Sequence, residues 1–239
     1  DVESHDVDLD ARVAEIETAM RREHKSVFSD LLGSRFGFLP IVWIGIGLSV
    51  FQQLVGINVA FYYSSTLWQS VGINPSSSFF YSFTTSIANI IGTVIAMIFV
   101  DRIGRKPLAL IGSCGMAIAL ALEAWAFSYK SGETLPDTQG TVALIAAHVF
   151  VLFFALSWGV IVWVFLGEMF PNKIRAAALG VAASAQWIAN WAITASFPTL
   201  ADWSLSGTYI IYTCFAVLSI PFVVFFVKET KGKTLESMG

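Results

Sequence analysis

Carboxamides are uncommon inside long apolar runs, and this sequence carries several. Gln52, Gln53 and Asn58, followed by Tyr62 and Tyr63, lie in the run from Phe38 to Ser64. Asn89 stands in a second run with Ser82, Thr85, Ser86 and Thr93 at steps of three and four. Gln186 and Asn190 share a stripe of a later run, with Trp187 and Trp191 on the adjacent stripe, and Trp158 and Trp163 precede them. An amide donates to and accepts from hydroxyl groups, and an indole face packs against ring C–H groups. Together they are suited to a polyhydroxylated ring. Such amides can also tie helices to one another, but three amides and two tyrosines in twelve residues exceed what that role needs. Glu123 and His148 are the acidic residue and the histidine set deep in the later runs. Either could carry a proton, and both lie toward run ends where partial hydration lowers the cost of charge.

The elements that hold these groups follow from composition. The chain has 239 residues, 56% hydrophobic and 13% charged, against about 25% charged in soluble domains. Of its 31 charged side chains, 14 fall in residues 1–35, and the 192 residues from Phe36 to Val227 hold only 12. Six apolar runs result, at Phe38–Ser64, Phe79–Val100, Pro107–Phe127, Thr141–Leu166, Ala176–Phe197 and Thr208–Val227. Each is long enough to cross a hydrocarbon core of about 30 Å as a helix. The expected fold is an all-α membrane protein with six transmembrane helices. Its parts are a cytoplasmic helical linker over 1–35, a bundle over 36–228 and a cytoplasmic tail over 229–239. In the linker, Leu9, Val13, Ile16 and Met20 recur at amphipathic spacing, and Val27 and Leu31 repeat the pattern.

Basic residues set the orientation. Thirteen of the 14 Lys and Arg side chains lie on the side that carries both termini, and Lys130 alone lies opposite. By the positive-inside rule both ends are cytoplasmic. Within the first run, Gln53 and Asn58 are 140° apart at 100° per residue, so a straight helix cannot aim both at one site. Gly56 lies between them, and unwinding there would let the three amides converge, as in the broken helices of transporters. Cys114 and Cys214 read as buried thiols. No basic stripe with aromatics points to nucleic acid, and nothing points to a metal or cofactor. There is no H-E-x-x-H motif, no intramembrane Asp pair and no arginine-repeat span, which argues against a membrane enzyme and a voltage-gated channel.

Five segments resemble the sugar porters of the major facilitator superfamily, in order along nearly the whole chain. They are Gln52-Gln53-Leu54-Val55-Gly56-Ile57-Asn58 with Tyr62-Tyr63, Asp101-Arg102-Ile103-Gly104-Arg105-Lys106, Glu168-Met169-Phe170-Pro171 with Arg175, Gln186-Trp187 with Asn190, and Glu229-Thr230-Lys231-Gly232. The match is to the C-terminal six-helix half of a 12-helix fold. Two positions depart from the family: Gly159-Val160-Ile161-Val162-Trp163 lacks its proline, which puts the bending of that helix in doubt, and Lys228 replaces the proline of the tail.

The resemblance implies a monosaccharide carrier of the cell membrane working by alternating access. Its partners would be a hexose-type sugar, the lipid bilayer, the missing N-terminal half and, in a symporter, protons. Gln52, Gln53, Asn58, Asn89, Trp163, Gln186 and Trp187 would line the site, joined by Asn190 on the Gln186 stripe, and Tyr62 and Tyr63 would close it. Asp101, Glu168 and Glu229 would pair with Arg102, Arg105 and Arg175 in a cytoplasmic latch. Proton symport and facilitated diffusion stay open, because the family's coupling carboxylate belongs to the other half. The alternative is a sugar receptor or structural half that binds without transport. The topology is tested by cysteine labelling in a cysteine-free background. Glu133→Cys should react from outside sealed cells and Ile103→Cys should not; external labelling of position 103 would overturn the orientation.

Overall fold

The computed structural model describes residues 27–33, 37–132 and 134–231. The amphipathic pattern from Leu9 to Met20 lies outside the described residues. What is described of the linker is a single 3-10 turn, Phe28–Leu31, followed by a short antiparallel pair, β1 (Leu32–Gly33) and β2 (Gly37–Phe38). Leu31 is fully buried and its carbonyl accepts from the Leu39 N–H, which fastens this segment to the bundle entrance.

The first run becomes three helices: α1 (Pro40–Leu54), α2 (Ile57–Tyr62) and α3 (Ser64–Gln69). Pro40 starts α1 where its missing N–H costs nothing. The run then breaks at Gly56, which adopts φ +82° and ψ 20°, a left-handed conformation that glycine reaches without a Cβ clash. The second run is α4 (Pro75–Ile103), capped by Asn74, whose side chain accepts from the Ser77 N–H at 2.8 Å. Only Gly104, at φ +99°, separates it from α5 (Arg105–Phe127). The fourth run divides at Ser157 into α6 (Asp137–Leu156) and α7 (Trp158–Met169). Sequence reading expected one uninterrupted span here; the break arises without the proline that the family carries.

The last two runs depart most from expectation. Helix α8 (Arg175–Phe226) continues for 52 residues, about 78 Å if straight and more than twice the hydrocarbon thickness. Its one non-helical residue is Ser204, at φ −167° and ψ 111°. The contacts show that the chain reverses there. Asn58 meets Asn190 and Tyr63 meets Thr194, so residues 175–203 run parallel to the first helix. A Cβ on Gly47 would meet Phe222 and one on Gly56 would meet Tyr212, so residues 205–226 run antiparallel to it. One extended residue thus does the work expected of a ten-residue loop, and six crossings are retained.

Helices α5, α6 and both limbs of α8 pack around a core that includes Met116, Leu120, Phe150 and Tyr212. The outer surface is equally apolar, with Phe80, Ile90 and Phe225 among its exposed side chains. Cys114 and Cys214 belong to that surface and are exposed, not buried as expected. In lipid the outward face of a helix is as apolar as its inward face, so an apolar run does not say which way a thiol points.

Gly56 is the most constrained point of the first run. A Cβ there would lie 2.7 Å from the Tyr212 ring, on a backbone that side chains rarely adopt. Gly56→Ala should lower stability by about 1–3 kcal/mol, read as an earlier thermal unfolding transition in detergent. An unchanged transition would show that the break tolerates a side chain.

Candidate functional site

The Gly56 break brings the amides together. Asn58 Nδ2 donates at 2.7 Å to Gln53 Oε1 and at 2.7 Å to Asn190 Oδ1, linking α1, α2 and α8. Asn190 Oδ1 also accepts from Thr194 Oγ1 at 3.2 Å. On the other side of the chain, Gln53 Nε2 donates to Gln52 Oε1 at 3.4 Å, and Gln52 Nε2 donates to the Trp158 carbonyl at 2.8 Å. The network therefore runs from the Gly56 break to the Ser157 break. Trp158 is itself anchored, since its indole N–H reaches the Ala109 carbonyl at 3.2 Å and Ser113 Oγ at 2.9 Å.

These amides line a cavity of about 370 Å³, within the range of small-molecule sites. Of the ten binding residues expected from the sequence, the structure brings eight to it: Gln52, Gln53, Asn58, Tyr62, Asn89, Gln186, Trp187 and Asn190. Tyr63 and Trp163 do not line it. The Tyr63 hydroxyl donates to the Thr194 carbonyl at 3.3 Å and its ring stacks near Phe197, so it joins the first run to α8. Trp163 lies on α7 with about half its surface exposed. The sequence reading missed Ile57, Phe61, Phe154 and Gly159 in the lining. Ile57 and Phe61, four residues apart on α2, share a helical face, and that spacing was the available signal.

Two features fit the cavity to a polar ring. Gln186 Oε1 is enclosed and has no hydrogen-bond partner among the described residues. Trp187 presents its indole at 65% exposure. The polar stripe of α4 divides between its own helix and the cavity. Ser82, Thr85 and Ser86 donate to carbonyls of their own helix at positions i−4, and only Asn89 lines the cavity.

A second cluster gathers at the other end of the bundle. Arg105 Nη2 lies 2.8 Å from Asp101 and 2.7 Å from Glu168. Glu229 was expected in an ion pair with an arginine, but its carboxylate instead accepts the backbone N–H groups of Arg105, Lys106, Thr230 and Lys231, at 2.9–3.1 Å. Two of these open α5, and a helix N-terminus favours an anion. Thr230 Oγ1 donates to Glu168, which closes the ring of contacts. Arg102 and Arg175 form no ion pair among the described residues, in contrast to the expectation. Arg102 contributes its carbonyl to Lys231 Nζ, and Arg175 Nε donates to the Phe170 carbonyl at 3.1 Å. The free backbone carbonyls and amides at helix ends compete for these side chains, and a motif pattern does not record that competition.

Comparison with known proteins gives consistent findings. A family model described as sugar (and other) transporter matches residues 1–239. The chain is 52% identical over 236 residues to the glucose transport protein of Synechocystis sp., covering 97% of this chain and 50% of that protein. It is 40% identical over 205 residues to the D-xylose-proton symporter of Escherichia coli K12, covering 83% of this chain and 40% of that protein. The solved inward open conformation of the xylose transporter XylE from E. coli aligns with a TM-score of 0.76 at 37% identity, covering 95% of this chain and 45% of that one. The chain spans about half the length of the curated relatives it matches.

The Glu229 cluster is pH-dependent by construction. Burial works to raise its carboxyl, but hydrogen bonds from the Lys231, Lys106, Arg105 and Thr230 backbones outweigh that and hold it below the ordinary carboxylate value. A group depressed on folding contributes stability that is present above its unfolded value and lost as pH falls through its folded value. Glu229→Gln should therefore lower thermal stability at neutral pH, and the gap to the parent should close on acidification below the ordinary carboxylate range. A gap that persists unchanged in acid would mean that the carboxylate charge is not what holds the tail.

Proposed function

This chain belongs to the sugar porter family of the major facilitator superfamily, and from that membership we propose that it forms the sugar-holding six-helix half of a carrier for hexose-type monosaccharides. The carrier works by alternating access, rocking this half against an N-terminal six-helix half around a sugar bound between them. The observation that carries the reading is the amide-lined cavity with Gln186 Oε1 left without a hydrogen-bond partner among the described residues. A sugar hydroxyl donates to that oxygen and accepts from the remaining amide N–H groups, while Trp187 covers a face of the ring. The exposed Trp187 and Trp191 support a second half closing over the cavity.

The Arg105 cluster is the gate of this cycle. It ties the start of α5 to α4, to α7 and to the tail through one guanidinium and one carboxylate. Contacts of this kind form in one state and break in the other. Both ends of the chain lie in the cytoplasm, which puts the cluster on the inner face. The symporter name of the E. coli relative supports proton coupling, and the Zymomonas mobilis relative, a glucose facilitated diffusion protein, supports uncoupled transport of the same class of sugar.

Gln186 and Gln53 give the direct test. Removing an amide that bonds a sugar hydroxyl costs roughly 1–3 kcal/mol, or about ten- to hundredfold in affinity. Gln186→Ala and Gln53→Ala should each weaken sugar binding by that factor, measured by calorimetry or tryptophan fluorescence. Gln69→Ala, exposed at the end of α3, should leave binding unchanged. Gln186→Ala is the cleaner variant, because it removes no hydrogen bond to Oε1 from the protein itself. Parental affinity in both cavity variants would overturn the reading.

A further inference from the structure

Glu123 takes no part in the amide cavity. The sequence placed it near a run end with partial hydration, but its side chain is 2% exposed, packed inside the bundle on α5. It lines a separate small cavity of about 20 Å³, room for one water molecule. Facing it are Tyr212 and Tyr209 of α8, Thr85 of α4, Ser64 of α3 and the backbone of Gly56. Glu123 Oε1 and the Tyr212 hydroxyl are both buried, and neither has a hydrogen-bond partner among the described residues.

The charges around it are few. From α8 the titratable groups are the two tyrosines. On α6, His148 follows Ala147, which lines the cavity; its Nε2 lies 2.8 Å from Thr84 Oγ1 and 3.3 Å from Thr85 Oγ1, so its ring is turned to α4. Among the described residues, no titratable side chain of α1 to α4 lines the cavity, and no Lys or Arg lines it. An ionised carboxylate at this depth would have no cation to offset its desolvation.

Gly56 connects this cavity to the amides. Its backbone packs against the Tyr212 ring, and Gln53 and Asn58 leave it on either side. A change in the break that moves those amides also moves the wall of the Glu123 cavity.

We propose that Glu123 is a proton-binding site that exchanges its proton through one water held between its Oε1 and the Tyr212 hydroxyl, and that the Gly56 break couples its protonation to sugar binding. On release the carboxyl O–H bond breaks, the proton leaves on water and the electron pair stays on the carboxylate. On uptake the reverse occurs. Because linkage is reciprocal, proton and sugar change each other's affinity by the same factor. The inference rests on the sugar-holding reading of the amide cavity for its second half only.

The test uses the intact protein in liposomes. Sugar affinity is read by tryptophan fluorescence across acid to alkaline pH, for the parent, Glu123→Gln and Tyr212→Phe. Infrared difference spectra over the same range follow the carbonyl stretch of a protonated carboxylic acid. The parent should show an affinity change of about fivefold or more with pH and a titrating carboxyl band. Glu123→Gln, which keeps the shape of the neutral acid, should bind with the parent's acid-side affinity at every pH and lack the band. Tyr212→Phe should retain the band and shift its midpoint. A Glu123→Gln variant with the parent's pH profile, as titration of His148 would produce, overturns the proposal. So do carboxyl bands that titrate identically in the parent and in Glu123→Gln. If the parent binds no sugar at any pH, the carrier reading fails, and the infrared titration still decides whether Glu123 binds a proton.

Discussion

The hydrogen bonds of Asn58 to Gln53 and Asn190 are the constraint on which the site depends. Inside a bilayer a polar group without a partner costs several kcal/mol, so amides set at this depth must find one another or a ligand. A straight helix would point Gln53 and Asn58 140° apart. The left-handed Gly56 removes that offset, and Asn58 then spends both its N–H groups on protein acceptors 2.7 Å away. Among the described residues, the oxygen of Asn58, the amide nitrogen of Asn190 and the carboxamide of Gln186 take no part in this network, and the Gln186 oxygen is buried without a partner.

Close packing holds the breaks in place. A Cβ on Gly112 would run into Ser157, and one on Gly115 would run into the Phe153 ring. Small residues on α5 thus let α6 approach until the Ser157 break sits against it, which is how helices associate where water supplies no hydrophobic drive. Trp158 locks the same place from the other side through Ala109 and Ser113, and Ser219 extends that chain to α8 by donating to Ser113 at 2.7 Å. The break in the fourth run needs no proline because its geometry is imposed by neighbours.

Much of this was legible in the sequence, for physical reasons that also mark where reading fails. The positions of the apolar runs, the Gly56 break and the convergence of Gln52, Gln53 and Asn58 follow from hydropathy and a 100° helical step. Facing is harder. Cys114, Cys214 and Glu123 were misplaced between inside, outside and hydrated end because lipid-facing and core-facing positions have the same composition. Tyr63 and Trp163 carry chemistry that suits a sugar, yet Tyr63 donates to a backbone carbonyl and Trp163 does not line the cavity. A reversal between the last two runs was expected from the gap at residues 198–207, but not that the single extended residue Ser204 makes it while helix continues on both sides. Glu229 matched a motif, but only the position of the α5 N-terminus shows that its partners are amides.

The two ends of the molecule are joined mechanically as well as by the bundle. Gln52 holds the Trp158 carbonyl at the first turn of α7, and Glu168 stands near the last turn of the same helix, in contact with Arg105 and Thr230. Ten residues of helix separate them, a rigid strut of about 15 Å. The strut is bounded by a break at Ser157 and by Phe170, where the backbone turns extended, so it can tilt without unfolding. One end of α7 is therefore fixed by Gln52 and the other by Arg105 and Thr230. Packed helices shift between discrete arrangements more readily than they deform, so the amides and the ion pair are joined through one rigid helix and not through a flexible loop.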